Sequence, residues 1–188
     1  MTDEPAPRAT ASLAAEYAAF CERVADACAE QAPVVDALID AMARAGAIHC
    51  YGFGRSGSVS ASLAIRLRHF QRRLPPAWWV GDLVRNPFRA GDLLIVVSRT
   101  CERFELLALV AHARGLGMRC AFVTGESHGA ACTDGDDLVI SLPGMESEAV
   151  YGGGDFELAA FFFQEVLVAR AGALLRVDRG DVARFHVY

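Results

Sequence analysis

Leu13, Tyr17, Phe20, Val24 and Cys28 recur at intervals of three and four, which predicts an amphipathic helix from residue 9 to about 30. Pro33 opens a second helix to about residue 44, with Val34, Leu38 and Met42 on one face and Gly46 as its stop. Two helices ahead of any strand read as a cap or an oligomer contact rather than a core of their own. Beyond Gly46 the pattern changes to short apolar runs at 47–51, 77–80, 92–97, 119–124 and 136–141. The run from Asp92 to Val97 is almost continuously apolar, as in a parallel strand buried on both faces. Helical spacing fills the intervals. Val59, Leu63, Ile65, Leu67 and Phe70 mark one helix, and 103–116, stopped by Gly117, a second. A long apolar helix from Asp155, its expected N-cap, to about residue 175 follows the flexible Gly152-Gly153-Gly154 turn. Gly125-Glu126-Ser127 reads as the start of a short helical piece, and 177–188 as a short, mixed, charged tail. Such alternation predicts an α/β fold of three αβα layers, a five-stranded parallel sheet with helices on both faces and two helices before the first strand.

A length of 188 residues, with no repeat and no dividing linker, predicts one domain over 1–188. Residues 1–8 are its frayed tail, 9–45 the leading helices and 178–188 the C-terminal tail. The chain is 53% hydrophobic and 22% charged, a globular composition. A net charge of −5 argues against nucleic-acid or membrane-surface partners. Arg66, Arg68, Arg72 and Arg73 form a local basic cluster, either a solvated helix end or a ligand-facing one. No apolar run reaches the roughly 20 residues of a membrane span. The strongest run, 158–168, is broken by Gln164 and Glu165. The acidic N-terminus carries no signal-peptide pattern. Six cysteines show no zinc-ligand spacing, so no metal is expected and reduced thiols in a cytoplasmic protein are. The surplus of apolar helix face predicts self-association.

Two strand-to-helix turns carry chemistry. The first is Gly52-Phe53-Gly54-Arg55-Ser56-Gly57, and the second runs from Ser98 to Glu102. In a doubly wound sheet both lie on the carboxyl edge, where ligands bind. The first turn does not complete G-x-G-x-x-G and has no G-K-[ST], so neither a dinucleotide nor a Walker A nucleotide is expected. Its glycines alone serve a tight turn and close helix packing. Arg55, Ser56 and Thr100 add a charged donor and two hydroxyls, a set suited to a sugar phosphate.

The segment Gly52 to Gly57, followed by Ala64-Ile65-Arg66-Leu67-Arg68-His69, resembles the G-x-G-R-S-G…A-M-R-L-x-H stretch of 6-phospho-3-hexuloisomerases, members of the sugar isomerase (SIS) domain family. Trp79-Val80-Gly81-Asp82 and Gly91-Asp92-Leu93-Leu94-Ile95 are similar too, and Gly154-Asp155-Phe156-Glu157 resembles the family's G-T-x-F-E. The likeness runs from about residue 10 to the end. It implies a flavodoxin-like SIS domain, a dimer or tetramer, no cofactor, and interconversion of 3-hexulose 6-phosphate and fructose 6-phosphate through an enediol. Gly54, Arg55, Ser56, Gly57, Ser98, Thr100, Glu102 and Arg103 are the implied substrate-binding residues. Glu157 is the candidate base, or else an ordinary first-turn helix glutamate. His186 is the candidate for moving protons between the substrate oxygens, or else a surface tail residue. His69 and His49 read as structural and His112 as exposed, while His128 is left unassigned.

Departures from the family pattern accompany the likeness. The family's phosphate-gripping S-G-S-G-E-T is here Ser98-Arg99-Thr100-Cys101-Glu102-Arg103, without either glycine or the final threonine. Arg99 or Arg103 then supplies a charged donor instead. The family's terminal R-H-A-N is Arg184-Phe185-His186-Val187, the histidine one place late. Two further readings therefore stand beside the isomerase: a non-catalytic or regulatory sugar-phosphate binder, and an isomerase of another phosphosugar.

Overall fold

The computed structural model describes residues 8–125, 133–145, 147, 150 and 154–185. Two helices, α1 (Thr10–Glu30) and α2 (Ala32–Arg44), lead into β1 (Ile48–Gly52), α3 (Gly54–Arg68), β2 (Ala77–Trp79) and β3 (Leu93–Val97). Then come α4 (Phe104–Gly115), β4 (Arg119–Gly125), β5 (Leu138–Leu142), α5 (Gly154–Leu174) and α6 (Arg179–Arg184). The strands form one all-parallel sheet in the order β2-β1-β3-β4-β5. Its register sets Ile48 opposite Ala77 on one side and Leu93 on the other, Leu93 opposite Arg119, and Ala121 opposite Leu138. This is the expected α/β architecture. No described helix is long and apolar enough to cross a membrane.

All five residues of β3 are buried, because successive side chains enter different cores. Leu93, Ile95 and Val97 join the larger core with α1, α2, α3 and α5. Leu94 and Val96 join the smaller one with Leu106, Val110 and Ala113 of α4. The second face has fewer helices to cover it among the described residues, and Phe88 from the loop after β2 helps, packing edge-on to His49 at 4.7 Å.

The leading helices are not an appended cap. Phe20, Val24 and Cys28 of α1 and Leu38, Ile39 and Met42 of α2 lie inside the larger core, against α5 and β5. The spacing had revealed an apolar face but not its partner. At the α1–α2 junction the Gln31 amide pairs with β5 as a strand would. Its Nε2 donates to the Ser141 carbonyl at 2.7 Å, and its Oε1 accepts from the Ser141 N–H at 2.8 Å. The exposed edge of the sheet is thereby partly closed.

Three local readings differ. Asp155 is not an N-cap; it lies within the first turn of α5 and is buried. Residues 179–184, read as part of a short, mixed, charged tail, form α6, started by the Asp178 carboxylate accepting from the Gly180 N–H at 2.6 Å. Gly125 ends β4 rather than starting a helix. Glu126, Ser127, His128, Gly152, Gly153 and His186 lie outside the described residues.

Candidate functional site

The strand order reverses direction between β1 and β3, so the turns after these two strands flank a topological switch point at the carboxyl edge. The first turn is tight because α3 begins almost on top of β1. A Cβ on Gly52 would lie 2.4 Å from the Ser56 carbonyl oxygen and 2.6 Å from Ser60 Oγ, and one on Gly57 would lie 2.9 Å from the Gly52 carbonyl oxygen. The packing role of these glycines is therefore real. The turn does more than pack, however. Neither Phe53, the N-cap of α3, nor Arg103, the N-cap of α4, supplies a side-chain cap. Two helix N-termini thus reach the switch point without side-chain acceptors, an arrangement that favours an anion.

The first wall gains a carboxylate from the far end of the chain. Ser56 is buried, and its hydroxyl donates to Glu157 Oε1 at 2.9 Å. The exposed Arg55 guanidinium brings Nε to 3.9 Å from Glu157 Oε2. Gly154 admits that guanidinium, since a Cβ there would sit 3.1 Å from one of its nitrogens. The Ser56 hydroxyl, expected to face a ligand, thus donates to Glu157.

The second wall departs from a glycine-rich loop in composition but keeps part of its shape. Cys101, buried, holds the left-handed conformation at φ 54° that glycine adopts readily. Its N–H donates to Ser98 Oγ at 3.2 Å, which draws the Ser98 hydroxyl into the turn. The Arg99 carbonyl accepts from Thr124 Oγ1 at 3.0 Å and from the Gly125 N–H at 3.1 Å, fastening the turn to β4. The Arg99 side chain pairs with Asp155, which also accepts the Met145 N–H at 2.9 Å. Arg103 lies over the Phe53 ring at 4.1 Å and so bridges the two turns. Glu102 is exposed and Thr100 half-buried.

Gly54, Arg55, Ser56 and Gly57 thus open α3, Ser98 to Arg103 occupy the β3–α4 turn, and Glu157 joins them from α5. Sequence reasoning missed Asp155 and Phe53. For Asp155 the signal was only indirect: Arg99 stands where the resembled pattern has glycine, and nothing local joins that charge to a distant carboxylate.

The remaining candidates lie elsewhere. His49 is buried within the sheet, its Nε2 3.2 Å from Asp92 Oδ2, and Asp92 also accepts the Arg89 N–H at 3.0 Å. Burial, the larger influence, pushes the imidazole below its ordinary pKa against the opposing pull of Asp92. His69 is buried at the C-cap of α3, and His112 is exposed on α4. Burial pushes the Cys50 thiol up to about 12 and the Cys120 thiol up to about 11. Among the described residues no cluster of three or more His, Cys, Asp or Glu side chains is arranged to hold a metal ion.

No family model matches the chain. It is 26% identical to a 3-hexulose-6-phosphate isomerase of Methanocaldococcus jannaschii over 152 residues, which cover 81% of this chain and 82% of that one. It is 29% identical to a 3-hexulose-6-phosphate isomerase of Methylomonas aminofaciens over 141 residues, 72% of this chain and 76% of that one. Among solved structures, a Methanococcus jannaschii protein with an inferred 3-hexulose-6-phosphate isomerase function superposes with a TM-score of 0.76 at 21% identity, over 89% of this chain and 97% of the other. A phosphoheptose isomerase from Francisella tularensis superposes with a TM-score of 0.68 at 16% identity, over 89% and 100%. The fold, the two turns at the switch point and these relatives agree: the chain is similar in sequence to 3-hexulose-6-phosphate isomerases and shares the fold of solved sugar-phosphate isomerases.

Proposed function

We propose that the chain is a phosphosugar isomerase that interconverts 3-hexulose 6-phosphate and fructose 6-phosphate. The observation that carries this reading is the Glu157 carboxylate, brought from α5 to the start of α3 and held 2.9 Å from the Ser56 hydroxyl beside two uncapped helix N-termini. The anion-binding ends take the phosphate, with Thr100 and the turn from Ser98 to Arg103 around it. Glu157 removes the proton from the carbon beside the carbonyl. The electron pair forms the C=C of an enediol as the carbonyl oxygen gains a proton. The proton then returns to the neighbouring carbon, and the carbonyl re-forms one position along. His186 remains the candidate for moving protons between the two oxygens; it lies outside the described residues. The sugar-phosphate names of the relatives support the substrate class. Exposed Ile65 and Phe161, on the contacting helices α3 and α5, support self-association as a dimer or tetramer, which light scattering measures.

The test is formation of fructose 6-phosphate from 3-hexulose 6-phosphate in a coupled assay. Glu157→Gln should lower kcat by about 100-fold or more while leaving sugar-phosphate binding in place. Turnover retained by that variant removes Glu157 from the base role, and no turnover by the folded wild type rejects the isomerase.

The rival reading, a sugar-phosphate sensor, is favoured by the altered second wall with Arg99 and left-handed Cys101. The neighbours include the Vibrio vulnificus NanR protein in complex with ManNAc-6P, at 18% identity and a TM-score of 0.68 over 90% of this chain and 66% of that one. Tight binding of hexose phosphates with no isomerisation detectable by NMR would favour the sensor.

A further inference from the structure

We propose that Arg99 is the guanidinium that contacts the phosphate of the ligand, and that Asp155 is its positioning residue. This rests on the sugar-phosphate reading above and names the group that takes over from the missing loop glycines. Four observations carry it. First, Asp155 is a carboxylate only 1% exposed, in the first turn of α5. A buried carboxylate is retained only where partners answer its charge, and here these are the Met145 N–H and the Arg99 guanidinium. Second, Arg99 is fastened at both ends, its carbonyl by Thr124 and Gly125 of β4 and its side chain by Asp155. Third, that side chain is still 39% exposed, and among the described residues Asp155 is its one charged partner. A guanidinium has five N–H donors, so an edge remains for a phosphate oxygen. Fourth, Arg55 and Arg99 approach consecutive residues of α5, Gly154 and Asp155, which lie three and two residues before Glu157. The Arg99 guanidinium therefore sits at the same helix start as the proposed base.

Arg103, the other cation of this turn, is less suited. Its guanidinium lies over the Phe53 ring and carries no oriented carboxylate partner among the described residues. Asp155 offsets the charge of Arg99, so the pair adds N–H donors rather than net charge, and a guanidinium suits a phosphate. In sequence, Arg99 departs from the resembled pattern by replacing a glycine. In space Asp155 pairs with it, so that a side-chain donor replaces backbone N–H groups that a glycine loop would present.

The experiment measures dissociation constants for inorganic phosphate and for fructose 6-phosphate by calorimetry, with Tm recorded alongside. Arg99→Gln should weaken both ligands by roughly ten- to a hundredfold, the range for a hydrogen bond to a charged group. Asp155→Asn should weaken them by a smaller factor. Because Arg99→Gln leaves a buried carboxylate unpaired, the neutral double variant Arg99→Gln/Asp155→Asn reads the same loss in a chain with no stranded charge. A further readout separates ligand contact from mere stabilisation. Millimolar guanidinium chloride should restore phosphate binding to Arg99→Ala, and should fail to restore it once Asp155→Asn is added. If the folded single or double variant binds fructose 6-phosphate as the wild type does, the inference is overturned while the sugar-phosphate reading stands. If phosphate binds through Arg99 but no sugar is isomerised, the inference stands and the isomerase fails. If the folded wild type binds neither ligand, both are rejected.

Discussion

At the scale of single residues, the site depends on groups that leave no room for variation. Gly52 is one. Any side chain there meets the backbone of the first turn of α3 at 2.4 Å, and a backbone cannot rotate aside. Gly52→Ala should therefore destabilise the fold by about 3 kcal/mol, at the upper end of overpacking. Urea unfolding measures it, and a change below about 0.5 kcal/mol would show that α3 can lift from β1 freely. His49 is another. Its imidazole has a lowered pKa in the fold, so below the ordinary value of about 6.5 the unfolded chain takes up a proton that the folded chain resists. The unfolded state then binds more protons, and stability rises with pH. The contribution is complete above that ordinary value and is lost as pH falls below it. The urea midpoint should drop between pH 7.5 and 5.5, and His49→Gln should flatten the drop. An equal drop in the variant would assign the effect to other groups.

Elements add constraints that residues alone do not reveal. The spacing of three and four identified α1 and α2 because a buried helix face has that period. It carried no information about what the face meets. The fold sets them against α5 and β5, and the Gln31 amide completes the contact by pairing with the backbone of Ser141. Gln31→Ala should cost about 2 kcal/mol, since it strands a part-buried N–H and carbonyl together. Thermal unfolding tests this, and an unchanged Tm would mean that water replaces the amide. Asp155 shows the opposite failure. A carboxylate after a glycine run is a reasonable N-cap by local rules, but the partner that settles its role, Arg99, is distant in sequence.

For the molecule as a whole, the sheet order is decisive. Placing β1 between β2 and β3 brings two turns, separated by more than forty residues, to one edge, and α5 then delivers Glu157 between them. The larger core spans both ends of the described chain, from Phe20 to Ala171. A chain begun at residue 32 should therefore lose cooperative unfolding and bind hydrophobic dyes, because α5 and β5 lose their cover. A cooperatively folded truncation would return α1 to the status of a separable cap.

The α/β alternation, the anion-favouring turns and the likeness to SIS isomerases were all legible in the sequence, because strand and helix periods and glycine turns are local properties. Glu157 was legible only through resemblance, since its spacing is that of any first-turn glutamate. Tertiary structure alone decided the rest. It joined the Ser56 hydroxyl to Glu157, buried Asp155 against Arg99, and made the leading helices part of the core. Each of these is a contact between segments far apart in the chain. Its free energy comes from burial and charge pairing, neither of which exists until the sheet has brought those segments together.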